Sequence, residues 1–337
     1  MQNKTFIIAE AGVNHNGSIS IAKKLIDAAS NAGADAVKFQ SFFADSLVSE
    51  NAPKAAYQKE TTNKNENQYQ MLKKLELNEK AHVDLIKHCK RKKISFISSP
   101  FDIESINLLE KLGLTTIKIP SGEITNYPYL RALGKLNKKV LLSTGMSNNN
   151  EIMNALQTLM KFGTNKHKIT LLQCNTQYPS PFKDANLNVI PYMKKKYGVS
   201  VGYSDHTPGI EASIAAVALG ATVIEKHFTL NKNMKGPDHK ASIEPEELKS
   251  LVKCIRNIEF ALGNSGKIKC ATDSEKINKN IVRKSIFASN NISKGEMFSE
   301  SNITTKRPGT GLSPMLWGGI IGKKAKRYFI KGEMISL

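Results

Sequence analysis

Two stretches of the chain end in imidazole: "VGYSDH" at 201–206 and "VIEKH" at 223–227. Each opens as a short apolar, strand-like run. Adjacent strands of a sheet lie about 5 Å apart, so His206 and His227 can meet at one point if the runs are neighbours. Carboxylates accompany them: Asp205 precedes His206, and Glu10 ends the first apolar run, "FIIAE". Two imidazoles with a carboxylate and water would suit Mn2+, Fe2+ or Zn2+, with Mn2+ or Mg2+ favoured where oxygen ligands and water dominate. A single histidine is more often a hydrogen-bonded structural residue. Two at neighbouring strand ends favour the metal.

Lysines supply the second constellation. Lys38 in "VKFQ" and Lys118 in "IKIPSGE" interrupt otherwise apolar strands. A lysine turned into a protein interior is costly unless an anion pairs with it. With the hydroxyls of Ser99, Ser121, Ser143 and Ser204, two such lysines could hold a phosphate and a carboxylate. The competing use is Schiff-base catalysis, because a buried lysine loses its proton readily. The bland reading is a strand lysine that faces outward and reaches solvent.

The elements that must position these groups follow a rhythm. Strands are expected at 6–12, 36–41, 94–100, 116–122, 140–145, 169–174, 199–206 and 222–229, with amphipathic helical stretches between them, such as 18–33, 105–113, 150–163 and 245–263. Strand–helix alternation implies parallel strands with right-handed crossovers. Eight strands in about 265 residues match a (β/α)8 TIM barrel. A doubly wound sheet is the rival, but no GxGxxG follows the first strand. Each strand starts apolar and finishes polar, with Gln40 and Glu123 in the series beside the residues above. In a barrel those ends converge on the face where active sites sit. His82, His88 and His167 are expected on exposed helix or loop surface. His15 in "NHNG" and His239 in "GPDH" fall in loops at the active face and could touch substrate. After Gly263 the rhythm stops, so the division expected is a barrel over 1–263, a polar, lysine-rich linker or exposed helix over 264–281, and a small, mostly β domain over 282–337.

Composition narrows the classes. The chain has 337 residues, a net charge of +20 and 40% hydrophobic residues, enough for a packed core. The positive excess is spread over both regions, with no finger, RNP-type aromatic motif or basic arm, so a lysine-rich solvated surface is expected rather than a nucleic-acid partner. A field that favours anionic substrates is a plausible extra. No run is long enough to span a bilayer, and no basic leader precedes the first strand, so a cytoplasmic protein is expected. Cys89, Cys174, Cys254 and Cys270 are far apart and read as reduced thiols.

The ordered motifs "AEAGVNHNG", "VKFQ", "SSPF", "KIPSGE", "LSTGM", "YPSPF", "GYSDHT", "IEKHFT", "GPDH" and "TKRPGTG" resemble those of the sialic acid synthases, the nonulosonate synthases that condense phosphoenolpyruvate with an N-acetylated amino sugar. The resemblance covers essentially the whole chain, and its C-terminal domain is similar to type III antifreeze proteins, the antifreeze-like (SAF, β-clip) type. It implies that His206 and His227 hold Mn2+ or Mg2+, and that Lys38, Lys118, Ser99, Ser121, Ser143 and Ser204 bind phosphoenolpyruvate. It further implies that Glu10 and Asp238 hold hydroxyls of the sugar, that Tyr178 lines its site and that Glu123 positions or deprotonates water. Some synthases read "CTN" where this chain has "CNTQYP", which leaves the roles of Asn175 and Thr176 open. The resemblance also implies a homodimer with a swapped C-terminal domain, Arg307 recognising the acetamido group of sugar held by the other chain. N-acetylneuraminate synthesis from N-acetylmannosamine is the first expectation. The alternative is N,N'-diacetyllegionaminate synthesis from 2,4-diacetamido-2,4,6-trideoxymannose, and more distant readings are a Schiff-base aldolase or a carbohydrate-binding scaffold.

Overall fold

The computed structural model describes residues 4–54, 58, 59, 62, 63, 65–263 and 268–337. It comprises two compact units, Met1–Asn264 and Ser265–Leu337. In the first, eight parallel strands close into a barrel in chain order: β1 (Phe6–Gly12), β2 (Ala36–Ser41), β3 (Ser95–Pro100), β4 (Thr116–Ile119), β5 (Lys139–Ser143), β6 (Ile169–Cys174), β7 (Ser200–Asp205) and β8 (Val223–His227). β8 closes on β1, with Glu10 opposite His227. β4 is shorter than expected because Pro120 has no N–H to continue the ladder, and the chain turns instead into a 3-10 segment at Ser121–Glu123.

Helices alternate with the strands: α1 (Ile19–Asn31), α2 (Glu79–Arg91), α3 (Ile103–Lys111), α4 (Tyr127–Leu136), α5 (Asn149–Lys161), α6 (Val189–Tyr197), α7 (Glu211–Ala218) and α8 (Pro245–Leu262). Several starts are set by a side chain that accepts from the first turn's free N–H groups, among them Ser18, Asn78, Asp102 and Asn148. The connection from β2 to α2 is long and, among the described residues, includes the short helical segments Ala44–Leu47 and Gln68–Lys73.

Strand alternation sorts the side chains into two shells. Val37 and Phe39 face outward and join the core shared with the helices. Ile8, Ala36, Ile97, Leu141, Leu172 and Val223 face inward and plug the barrel. The plug is tight: a Cβ on Gly202 would lie 2.5 Å from the Val223 carbonyl oxygen and 2.7 Å from a Leu172 methyl. The next inward residues along the same strands are therefore lifted onto a floor at the C-terminal mouth.

Asp205 and Lys226 have the outward parity. Their ion pair, 3.0 Å long, lies buried between barrel and helices. Asp205 also accepts from the Ser213 hydroxyl at 2.6 Å and from Thr207 N–H at 2.8 Å. Asp205 therefore does not serve the imidazoles at the mouth, contrary to its reading as a nearby carboxylate. Removing one partner of a buried pair leaves a charge without compensation. Lys226→Met is expected to cost about 3 kcal/mol, read from urea midpoints. Lys226→Met with Asp205→Asn should recover part of that loss, because the stranded charge is gone.

The second unit contains α9 (Asp273–Val282) and an antiparallel pair, β9 (Ser285–Ala288) and β10 (Ile303–Lys306). Its own small core gathers Ile286, Ile292, Phe298 and Phe329. Residues 264–267 lie outside the described residues, while the rest of the expected linker contains α9, started by a Thr272–Glu275 capping box. Among the described residues no helix is long and apolar enough to cross a membrane.

Candidate active site

Above the floor, the inward positions carry charge. Lys38 Nζ lies 2.8 Å from Glu10 Oε2 and 3.6 Å from Glu225 Oε2. Lys118 Nζ lies 3.2 Å from Glu225 Oε1. Ser204 donates to the same oxygen at 2.7 Å, and Lys38 donates to Ser99 Oγ at 3.0 Å. Two cations and two carboxylates thus alternate in one buried cluster at the bottom of a cavity of about 350 Å3. Gln40, Ser121, Ser143, Thr176, Tyr178, His206, His227 and Asp238 line the same cavity.

Burial governs the electrostatics. It raises Glu10 to about 7, against the pull of Lys38, and Asp238 to about 6. Burial alone would lower Lys38, but Glu10 and Glu225 outweigh it and its pKa is raised. Lys38 is held as an ammonium ion, suited to gripping an anion and unsuited to attack a carbonyl as a free amine. Burial would raise Glu225, yet Lys118 and Lys38 reverse that and keep it ionised. Sequence alone gives Glu225 a polar strand end but no place in the site. Its parity with His227, two residues on, was the available signal.

His206 and His227 meet as expected, with ring centroids 5.4 Å apart. Tyr178 lies against both, 4.2 Å from the first ring and 5.6 Å from the second. Burial lowers His206 to about 4 and His227 well below its ordinary value, so both are neutral. His206 donates its Nδ1–H to the Asn175 carbonyl, which leaves the lone pair on Nε2. His227 Nδ1 is buried without a hydrogen-bond partner. Two neutral imidazoles with free lone pairs fit a divalent ion whose other positions go to water and substrate oxygens. Among the described residues no group of three or more His, Cys, Asp or Glu side chains is arranged to hold a metal. Glu10, the remaining carboxylate expected beside the imidazoles, is drawn to Lys38 instead.

Other expectations fall differently. Thr176 lines the cavity, whereas the Asn175 side chain accepts from Gln177 N–H and Asn175 contributes its carbonyl to His206. Glu123 does not line the cavity: it sits in the turn after β4, accepting from Asn126 Nδ2 at 2.6 Å. Arg307 belongs to the second unit, exposed in a loop before cis Pro308. Cys174 also lines the cavity, 3.2 Å from Ser121 Oγ, and all four cysteines are free.

The remaining histidines need two corrections. His82 is buried, with Nε2 2.7 Å from Ser41 Oγ, because it shares a helical stripe with Leu85 and Cys89. His15 and His239 are buried outside the cavity lining. His239 bonds Thr229 Oγ1 at 2.6 Å and Asn16 Oδ1 at 3.3 Å. Asn14 bonds the Phe228 carbonyl and Ser242 Oγ, and Ser242 donates to the Asp238 carbonyl. This network ties the loops after β1 and β8 together and sets Asp238 over the cavity. Of the remaining two, His88 pairs with Asp27 at 2.7 Å, and His167 is exposed as expected.

Known proteins resemble the chain along its length. Residues 25–267 match the model of the NeuB family, and residues 283–337 match the SAF domain. The N,N'-diacetyllegionaminic acid synthase of Campylobacter jejuni is 57% identical over 98% of this chain and 99% of its own. The Legionella pneumophila protein of the same name is 44% identical over 95% of this chain and 90% of its own. Among solved structures, the N-acetylneuraminic acid (sialic acid) synthetase of Leptospira borgpetersenii superposes with a TM-score of 0.72 at 35% identity, covering 82% of this chain and 91% of that one. The chain belongs to the NeuB family: it is an enzyme, a nonulosonate synthase that carries a C-terminal SAF domain.

Proposed function

We propose that this enzyme is an N,N'-diacetyllegionaminic acid synthase, joining phosphoenolpyruvate to open-chain 2,4-diacetamido-2,4,6-trideoxymannose with release of phosphate. The observation that carries the choice of sugar is the 57% identity with the Campylobacter jejuni synthase along nearly the full length of both chains. N-acetylmannosamine, the first expectation from sequence, becomes the second.

The site supports the chemistry. Lys38 and Lys118, with the hydroxyls of Ser99, Ser121, Ser143 and Ser204, offer cations and donors to the phosphate and carboxylate of phosphoenolpyruvate. The ammonium character of Lys38 disfavours its use in a Schiff-base aldolase. His206 and His227 would hold Mn2+ or Mg2+, which supplies Lewis-acid polarisation of the sugar aldehyde. Carbon 3 of phosphoenolpyruvate bonds to the aldehyde carbon, and positive character develops at carbon 2. Water adds there, and the carbon–oxygen bond to phosphate then breaks. Glu10, near neutrality in its pKa, is suited to deliver a proton to the oxygen of the former aldehyde. Asp238 holds a sugar hydroxyl and Tyr178 flanks the chain of the sugar. Glu123, outside the lining, is no longer assigned to the water.

The same reading takes the enzyme as a homodimer with swapped C-terminal domains, in which Arg307 serves the acetamido group of the partner's sugar. It rests on the family resemblance. Removal of residues 280–337 should cripple turnover of the sugar; full activity in that truncation would overturn the swapped arrangement.

Phosphate release from phosphoenolpyruvate with Mn2+ tests the whole reading. The diacetamido sugar should react faster than N-acetylmannosamine, and EDTA should abolish both. A faster reaction with N-acetylmannosamine would overturn the choice of sugar. Release with neither would overturn both choices of sugar.

A further inference from the structure

The cavity has two poles. Its charged and imidazole groups rise from the strand ends, with His206 and Tyr178 following β7 and β6. Beyond the ends of β1, β2 and β3, part of the lining is hydrocarbon. Val13, Phe42, Met71 and Leu75 are buried there and pack with the half-buried Leu72 and Phe101. Phe42 and Phe101 meet edge to face, with centroids 6.3 Å apart. This cluster is separate from both the helix-packing core and the barrel plug, and each of these six residues lines the cavity. Apolar surface left facing a water-filled cavity gains free energy when an apolar group covers it.

We infer that this wall, to which the β2–α2 connection contributes Phe42, Met71, Leu72 and Leu75, reads the C4–C6 end of the sugar. The inference rests on the reading above and deepens it. The aldehyde carbon must lie near the imidazoles at the ends of β7 and β8, so an open-chain hexose sends carbons 4 to 6 toward the apolar wall. There the 2,4-diacetamido-2,4,6-trideoxy sugar presents two methyl groups, one on carbon 6 and one at the end of the 4-acetamido group. N-acetylmannosamine presents hydroxyls at both places. A hydroxyl pressed against hydrocarbon gives up its bonds to water without a replacement, while a methyl gains by burial. Gln68, beside the wall, supplies an amide of the kind that pairs with the acetamido N–H or carbonyl.

The test is the ratio of kcat/KM for the two sugars in the full-length, Mn2+-loaded enzyme. In Met71→Gln the preference for the diacetamido sugar should shrink by about tenfold to a hundredfold, the scale at which an apolar pocket discriminates a hydroxyl. The KM for phosphoenolpyruvate should stay put, and Met71→Leu should keep the wild-type ratio. If Met71→Gln fails a thermal-melt check, the half-buried Leu72→Gln decides in its place. An unmoved ratio in the folded glutamine variant, with wild type preferring the diacetamido sugar, overturns the wall alone. A wild-type preference for N-acetylmannosamine overturns the underlying reading instead.

Discussion

Lys38→Met is expected to lower kcat/KM for phosphoenolpyruvate by about 10²–10⁴-fold, through a raised KM as well as a lowered kcat. Lys38 sits between two buried carboxylates, Glu10 at 2.8 Å and Glu225 at 3.6 Å. Removing its charge forfeits a charge-assisted contact to the bound anion. It also leaves Glu10 and Glu225 sharing Lys118, so the cavity repels the phosphate and carboxylate it should attract. Losing one partner of a buried charge pair costs about 3–5 kcal/mol, which is the stated range in rate. Initial-rate kinetics with varied phosphoenolpyruvate measure it. An unchanged KM would mean that Lys38 only supports the floor and that the anion binds elsewhere. Lys38→Arg should recover charge but little activity, because a planar guanidinium does not fit a slot shaped for a point charge.

Removal of the metal is expected to have an effect at least as large. Treatment with EDTA should stop phosphate release, and Mn2+ should restore it. His206→Ala and His227→Ala should each weaken Mn2+ binding in calorimetry by more than the 10–100-fold typical of losing an outer-shell partner, since each removes one of two nitrogen donors. Phosphoenolpyruvate binding, which the proposed function assigns to the lysines and serines, should survive in both variants. Undiminished Mn2+ affinity in either variant would show that the imidazoles act on substrate directly.

The Glu10–Lys38–Glu225–Lys118 cluster also explains how such a polar floor is tolerated. Each buried charge has an opposite charge beside it; Ser204 donates to Glu225, and Ser99 accepts from Lys38. The cluster is organised before substrate arrives, so little reorientation is required when the anion binds.

The strands and the parity of their side chains were determined by sequence alone, because alternation with a period of two is a local property of the chain. It places Lys38, Lys118, Ser143, Ser204 and His227 on the inner face wherever the barrel closes. The same rule separates Asp205 from His206, and it also puts Glu225 beside His227, a consequence overlooked when the residues were weighed singly. His82 was likewise legible in the stripe it shares with Leu85 and Cys89 on α2. Loops have no such period. Whether Glu123 reaches the cavity, whether Asn175 offers its side chain or its carbonyl, and whether His15 and His239 touch substrate has no periodic signal, and the bonds that tie the loops after β1 and β8 together run between residues more than two hundred positions apart, such as Asn14 and Ser242. The tertiary structure alone decided these, and it alone brought Val13, Phe42, Met71, Leu75 and Phe101 together at the cavity. The apolar residues of that wall carry no local signal that distinguishes a surface for substrate from ordinary core.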